Sequence, residues 1–562
     1  MNSSIPTKTR RPEWRSAVFW SAAIALLILS LALHLWRIDS APPGFNIDES
    51  SNAYNAYCIA RTGADEYGTR FPVVFRCFDY DHDAGMVYPL VPIIDVFGLQ
   101  RWAARLPNAI FGILTSITFA FLVQQHCRKQ WLSLLSGFCF SVTPWLFPAS
   151  RIATSSYTLL VWVVTMSWLL ALVALRKRSC VLAVCAGLLW ALPIYIYSVG
   201  RPMSVLTLLC FGLAFVRVLV KRWKVGLAFV LGFIAVTLPL IPVACHNQVA
   251  LTERFRVVWV GTAERPTVGL IASNFLSRYP DYFSPAFLFL KGDPNLRQHT
   301  GRGGELFMFL APLVLAGLYC LVRFARSRPC YRFIGLGLVV YPLAAALTPD
   351  RMHSGRCVQG VIFWLLTAAI GAYFLWRRRV VGRTILLAAC CAGLVETGWY
   401  LRDYFGPYQV RCRSEFQANF IVALQDCFRA LGDNQTLYIS PSAFSPFNMI
   451  PGTDFKPYFY IHLLFFGRID PLTYQHGGIP RDRVRLYGGS ITNPGLLLRS
   501  TMSVILPTGG HTVPVAGATY IPGKATYVRS REPVPPNATL METKPVDGLF
   551  PAEVRYEVYE VK

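Results

Sequence analysis

Apolar stretches recur along this chain, each near the length of about 20 residues that crosses a hydrocarbon core of about 30 Å. The first runs from about Ala17 to Trp36. Further stretches lie near Trp102–Gln124, Trp131–Phe147, Tyr157–Leu175, Val181–Tyr197, Pro202–Val220, Val225–Ala244, Leu306–Val322, Phe333–Leu347, Val358–Trp376 and Ile385–Leu401. About eleven spanning helices are therefore predicted. Only 15% of the 562 residues are charged, against about 25% in soluble domains. The polar, basic segment 1–15 precedes the first stretch, and no small-residue cleavage site follows it, so a removable signal peptide is not the reading.

The connections carry a topological signal. Every second one is basic: His126-Cys127-Arg128-Lys129, Arg176-Lys177-Arg178, Lys221-Arg222-Trp223-Lys224, Arg323 to Arg332, and Arg377-Arg378-Arg379. Lys and Arg accumulate in cytoplasmic loops. That places segment 1–15 in the cytoplasm. The loops 37–101 and 245–305, and the tail 402–562, fall on the opposite side. The net charge of +24 is mostly explained this way. A nucleic-acid partner is not indicated, because no basic soluble domain appears.

The predicted architecture is an α-helical polytopic membrane domain over 16–401 followed by an extracytoplasmic α/β domain over 402–562. In that tail, Ser414–Leu431 has helical spacing. Thr436–Ser440, Met502–Pro507 and Val554–Val561 read as strands. In loop 37–101, Asp48-Glu49-Ser50-Ser51 precedes Ala53, Ala56, Tyr57 and Ala60 on one helical face. A short helix lying on the membrane surface is expected there. The sequence has 15 cysteines and no C-x-x-C motif. Cys58 with Cys77, and Cys412 with Cys427, are the pairs an oxidising compartment can join.

Chemistry-bearing residues concentrate in the outer segments. Asp48 follows the first span directly. It reads either as a base held near the membrane or as the N-cap of the helix behind it. Asp79-Tyr80-Asp81-His82-Asp83 places carboxylates and imidazole at alternate positions. Such a cluster can hold a divalent ion, and a solvated loop looks the same. Arg101, Arg105, Arg151, Arg201, His353 and Arg356 recur at the outer ends of predicted spans. Their recurrence at one depth marks an anion site, and the forked guanidinium suits phosphate.

The order of these segments resembles a known family. Pro42-Pro43-Gly44, Asp48-Glu49, Tyr54-Asn55-Ala56-Tyr57, Thr62-Gly63-Ala64-Asp65-Glu66-Tyr67-Gly68 and Phe71-Pro72 resemble the first outer loop of the family 39 membrane glycosyltransferases, the ArnT-like and protein-mannosyltransferase-like enzymes. Arg105-Leu106-Pro107-Asn108-Ala109-Ile110-Phe111-Gly112 looks like that family's second-span motif. Ser150-Arg151-Ile152-Ala153, Tyr195-Ile196-Tyr197-Ser198-Val199-Gly200-Arg201, and Phe287-Leu288-Phe289 with Gly292-Asp293 extend the resemblance over roughly residues 15 to 400.

The resemblance implies a GT-C fold and a sugar donor carried on a polyprenyl phosphate. It also implies a catalytic Asp-Glu pair, here Asp48 as general base with Glu49. Arg105, Arg201, Arg356, His353 and Arg151 become the candidates for the donor phosphate. Tyr57, Asp65, Glu66, Tyr67, Arg76, His82 and Tyr197 are further candidates for the site. Many relatives carry a Lys after the acidic cluster. Here that segment is Ala84-Gly85-Met86-Val87-Tyr88-Pro89, and Arg76 or His82 is the substitute. No cofactor is implied beyond the metal candidates Asp79, Asp81 and Asp83. The partners expected are the lipid-linked donor, a lipid, protein or polysaccharide acceptor, and membrane lipids. The membrane expected is a bacterial plasma membrane. Two other readings fit a chain of this kind: a transporter or flippase of lipid-linked sugars, and an inactive envelope scaffold.

Overall fold

A computed structural model describes residues 17–78, 80–240, 267–348, 350–440, 443, 460–487, 491, 493–505, 526–529, 534–545 and 555–562. Its residues separate into two compact units. One comprises 1–36, 108–151 and 156–404; the other comprises 37–107, 152–155 and 405–562.

The first unit is helical. Among the described residues, six helices are long and apolar enough to cross a membrane: Ala17–Leu35, Arg101–Cys127, Tyr157–Lys177, Gly200–Lys221, Pro329–Ala346 and Arg379–Arg411. Shorter apolar helices include Gln130–Val142, Cys180–Ile196, Trp223–Thr237, Met308–Phe324 and Gly360–Trp376. Over the described residues, each of the eleven apolar stretches therefore overlaps a helix. The chain is a multi-pass membrane protein.

Burial sorts these helices. Gly360–Trp376 is buried on all sides over Gly360 to Ala372, as a helix at the centre of a bundle must be. Ala17–Leu35 and Arg379–Phe405 instead leave Val18, Ile28, Val380, Leu387, Leu394 and Trp399 exposed. Apolar faces of this kind suit lipid as their surroundings. The central helix meets Ala311–Phe324 through two glycines. A Cβ on Gly317 would fall 1.9 Å from the Thr367 carbonyl oxygen, and one on Gly371 would fall 1.9 Å from that of Leu313. Small residues bring membrane helices to backbone contact, where dispersion holds them.

The second unit is α/β. Strands β1 (Val74–Cys77) and β2 (Tyr80–Asp83) form an antiparallel hairpin in which Cys77 pairs with Tyr80. A five-stranded sheet has the order β4-β3-β5-β9-β8. Its members are β3 (Thr436–Ile439), β4 (Val484–Leu486), β5 (Gly495–Ser500), β8 (Ala538–Pro545) and β9 (Arg555–Val561). Strand β3 is parallel to β4 and β5, while β9 is antiparallel to β5 and β8. Strands β6 (Met502–Ile505) and β7 (Thr526–Arg529) pair separately. Helix Ala418–Ala430 turns Phe420, Ile421, Leu424 and Cys427 inward.

One hydrophobic core joins Phe45, Tyr54 and Ile59 of the first outer loop to Phe420, Leu424, Leu437, Ile461, Leu464 and Leu498. The first outer loop and the C-terminal segment thus share a core rather than forming separate layers. The helix after Asp48, Ile47–Thr62, is consequently not a surface helix. Ten of its 16 residues are buried, including Ser50, Ser51, Asn52 and Asn55. Their polar groups are matched. Ser50 Oγ lies 2.7 Å from His462 Nδ1, Asn52 donates to the Ala153 carbonyl at 2.8 Å, and Tyr54 donates to the Ile469 carbonyl at 3.0 Å.

Neither proposed disulfide forms. Cys58, Cys77, Cys412 and Cys427 are buried free thiols. Cys77 Sγ instead meets Ser51 Oγ at 2.7 Å. Burial pushes the Cys412 and Cys427 thiols up to about 12, so neither supplies the thiolate that disulfide exchange requires.

Candidate functional site

In the second unit the site begins at the start of Ile47–Thr62. The N-cap is Asn46, not Asp48. Its side chain accepts from the Asp48 N–H at 3.0 Å, and its own N–H donates to Glu49 Oε2 at 3.0 Å. This is a capping box, with Asn in the Ser/Thr position and Glu three residues on. Asp48 is the second residue of the helix and is half-buried. Its side chain is not the cap.

Glu49 differs from its neighbour. It is fully buried and accepts four hydrogen bonds. Two come from Arg105 Nε and Nη2 at 2.8 and 3.1 Å, one from the Ala153 N–H at 2.9 Å and one from the Asn46 N–H. Arg105 is buried as completely. Its remaining N–H groups go to the carbonyls of Ile38, Pro42 and Gly44 at 3.1, 2.8 and 2.9 Å, with Asp39 at 3.5 Å. All five guanidinium donors are spent on protein, which corrects the expectation that Arg105 holds a phosphate. The pair instead pins the segment leading into Asp48. Gly44 sits in that segment with φ +72°, and a Cβ there would fall 2.2 Å from the Phe416 carbonyl oxygen.

Asp65 and Glu66 are both buried. Asp65 Oδ1 accepts from the N–H groups of Tyr67 and Thr69 at 3.0 and 2.8 Å, which closes a local turn. Glu66 accepts from Asn55 Nδ2 at 3.3 Å and from Tyr460 OH at 3.1 Å. Tyr67 is exposed at the rim. The Arg76 guanidinium lies 5.2 Å from its ring centre, and the Arg61 guanidinium lies 5.4 Å from the ring centre of half-buried Tyr57. Asp79, and the side chains of Asp81 and His82, lie outside the described residues; Asp83 is buried. Among the described residues, no group of three or more His, Cys, Asp or Glu is placed to hold a metal ion.

Burial pushes the Glu66 carboxyl up to about 8, against the hydrogen bonds from Asn55 and Tyr460. The native state then keeps a proton that the unfolded chain releases above its ordinary value of 4.5. Stability falls as pH rises between those two values, by about 1.4 kcal/mol per pH unit at most. Glu66→Gln removes this ionisation and keeps the acceptor oxygen. The variant should melt with the wild type at pH 5 and above it at pH 9. Parallel melting curves across that range would contradict the assignment.

In the first unit the polar residues gather on the turn Ser354–Cys357 and the segment 292–305. Asp293 Oδ2 accepts from the Ser354 N–H at 2.7 Å and from Ser354 Oγ at 2.9 Å. Its Oδ1 accepts from the Asn295 N–H at 2.8 Å, and its own N–H donates to Glu305 Oε1 at 2.8 Å. Burial pushes Asp293 up to about 6 and holds Glu305 well above the carboxylate range.

His353 and Arg356 flank this knot. Burial, aided by the Arg356 and Arg297 charges, lowers His353 to about 3. Its 3.8 Å approach to Asp293 is thus a contact of a neutral imidazole, not an ion pair. Arg356 Nη2 pairs at 2.8 Å with Asp350, whose carboxylate is mostly exposed. Arg356 Nη1 and His353 Nδ1 are buried and meet no hydrogen-bond partner among the described residues. Arg201 is half-buried, with Nε donating to the Ile194 carbonyl at 3.4 Å.

Arg151 departs from expectation. It is buried between Phe147 and Tyr404, 5.8 and 5.6 Å from their ring centres. It donates to the carbonyls of Leu33, His34 and Trp36. A cation at a helix C-terminus meets orphan carbonyls and the negative end of the dipole. Its role there is to terminate Ala17–Leu35. Asp293, Gln298, Ser354 and Glu305 are the members that reading for charged span ends passed over. Only Gly292-Asp293 carried a signal.

Two solved structures are similar to this chain in fold. ArnT from Cupriavidus metallidurans bound to undecaprenyl phosphate is 15% identical, with a TM-score of 0.51, and the match covers 86% of this chain and 94% of that one. The apo form of the same protein gives 14%, 0.51, 86% and 92%. The chain has the GT-C fold. An archaeal oligosaccharyltransferase, AglB from Archaeoglobus fulgidus in complex with an inhibitory peptide and a dolichol-phosphate, is 12% identical with a TM-score of 0.45. This chain spans 63% of its length. No family model matches the sequence, and no curated protein matches it in sequence.

Proposed function

We propose that this GT-C protein is a membrane glycosyltransferase that takes a sugar from a polyprenyl-phosphate donor. The observation that carries the reading is the pair of buried nitrogens that meet no hydrogen-bond partner among the described residues, Arg356 Nη1 and His353 Nδ1, three residues apart on one turn. Buried donors left unmatched cost about 1–3 kcal/mol each unless a ligand satisfies them. A phosphate supplies acceptor oxygens for both. The undecaprenyl phosphate held by the ArnT structure is a ligand of that chemistry. A neutral imidazole donates without adding charge, while Arg356 exchanges a weak, exposed Asp350 partner for a phosphate anion.

In this reading Arg356, His353 and Arg201 stabilise the charge that grows on the lipid phosphate as it leaves. Asp48 accepts the proton of the acceptor hydroxyl, whose oxygen attacks the sugar C1 with inversion. The N-terminus is cytoplasmic and the reaction is on the other face of a plasma membrane, as the five basic connections support. Arg356→Ala should raise KM for the lipid donor by about 10- to 100-fold, the worth of one charged hydrogen-bond set. An unchanged KM removes Arg356 from the site. A strain lacking the protein should lose one sugar-modified acceptor in its envelope and regain it with a wild-type copy. An envelope identical in both strains would overturn the function.

A further inference from the structure

Gln298 is buried where three segments of the first unit meet. Its Nε2 donates to Tyr157 OH at 3.1 Å. Its Oε1 accepts from the Gly355 N–H at 3.0 Å and from Ser354 Oγ at 3.2 Å. Tyr157 is the first residue of helix Tyr157–Lys177. Its hydroxyl lies 3.5 Å from Tyr197 OH, with the rings edge-on at 5.2 Å. Tyr197 lies four residues before Arg201. One side-chain amide thus ties the turn carrying His353 and Arg356 to the start of a membrane helix and, through Tyr157, to the segment leading into Arg201.

The fit is tight. A Cβ on Gly355 would fall 2.4 Å from Tyr157 OH and 2.7 Å from Gln298 Oε1. The turn therefore lies flat against both groups. Asp293 shares the same Ser354 hydroxyl proton with Gln298 and also accepts from the Ser354 N–H. An amide suits the position because it donates to the phenol and accepts from a backbone N–H at once. A carboxylate can only accept, and an aliphatic chain can do neither.

We propose that Gln298 is a positioning residue: it sets the orientation of the His353–Arg356 turn, and so the aim of the two unmatched nitrogens at a lipid-linked phosphate. The inference rests on reading that turn as the phosphate site. Gln298 does not touch the reacting atoms, so its effect falls on binding. Gln298→Leu keeps the bulk and removes three hydrogen bonds. It should weaken binding of undecaprenyl phosphate by about tenfold or more. KM for the lipid donor should rise in proportion, with kcat within about threefold. Gln298→Glu keeps the acceptor bonds and loses the donor, so its loss should be intermediate. Tyr157→Phe removes the partner of that donor. Combined with Gln298→Glu it should add little to the single change, as coupled partners do.

The experiment is titration of purified full-length protein in detergent with undecaprenyl phosphate, with melting recorded for each variant. Wild-type binding, with weaker binding by Gln298→Leu and Gln298→Glu at an unchanged melting temperature, supports the proposal. Wild-type affinity in either variant overturns it. If Gln298→Leu does not fold, Gln298→Glu and Tyr157→Phe decide in the same way. A wild type that binds no undecaprenyl phosphate overturns the phosphate-site reading itself, and the inference with it.

Discussion

Arg105→Ala should leave little folded protein. Glu49 and Arg105 are both fully shielded from solvent, and Arg105 supplies two of the four hydrogen bonds that Glu49 accepts. Removing one member of a buried pair leaves the other as an uncompensated charge, at a cost of about 3–5 kcal/mol. Net stabilities are about 5–15 kcal/mol, so this one change removes a large share. The carbonyls of Ile38, Pro42 and Gly44 would lose their donor as well. Arg105→Lys should fail similarly, because an ammonium has three donors and no planar fork. Size-exclusion profiles and melting curves in detergent are the check. A variant that melts within about 1 °C of the wild type, where about 1 kcal/mol moves Tm by a few degrees, would contradict the account of this pair.

Asp48→Asn should have the opposite profile. Asn46 caps the helix, so the Asp48 side chain is not needed to start it. Losing one negative charge from the first turn costs about 0.3–1 kcal/mol. An Asn cannot take the acceptor proton. General-base catalysis contributes about 10²–10⁴-fold, and transfer should fall by that factor. Two adjacent carboxylates are therefore separable: substitution at Asp48 should remove activity at near-normal stability, whereas substitution at Glu49 should remove the fold.

Much of this architecture is legible in the sequence because its signals are long. The apolar stretches mark helices among the described residues, since the hydropathy of a membrane helix accumulates over its whole length. Helix Ala418–Ala430 and strands β3 and β9 also follow from periodicity. Strands β4 and β5 do not. β4 has three residues, and β5, Gly-Leu-Leu-Leu-Arg-Ser, is buried along its whole length and does not alternate.

The arginines expose a deeper limit. Arg105 and Arg356 look alike in sequence, each basic at the outer end of an apolar stretch. Only three-dimensional partners tell an arginine spent on carbonyls and Glu49 from one with a nitrogen unmatched. Asn46 was readable: Asn followed three residues later by Glu is a helix-start signature, and it outcompetes Asp48 for the cap. Gln298 was not readable. Its role depends on meeting Tyr157 and Gly355, which are 141 and 57 residues away.

The measurement that tests the central claim most directly is transfer of label from a radiolabelled polyprenyl-phosphate sugar by purified protein supplied with envelope extract. Wild type should move label from lipid to an acceptor, and Asp48→Asn, melting as the wild type does, should move little or none. Equal transfer by the two proteins would contradict Asp48 as the base. No loss of label from the lipid with wild type would contradict a glycosyltransferase.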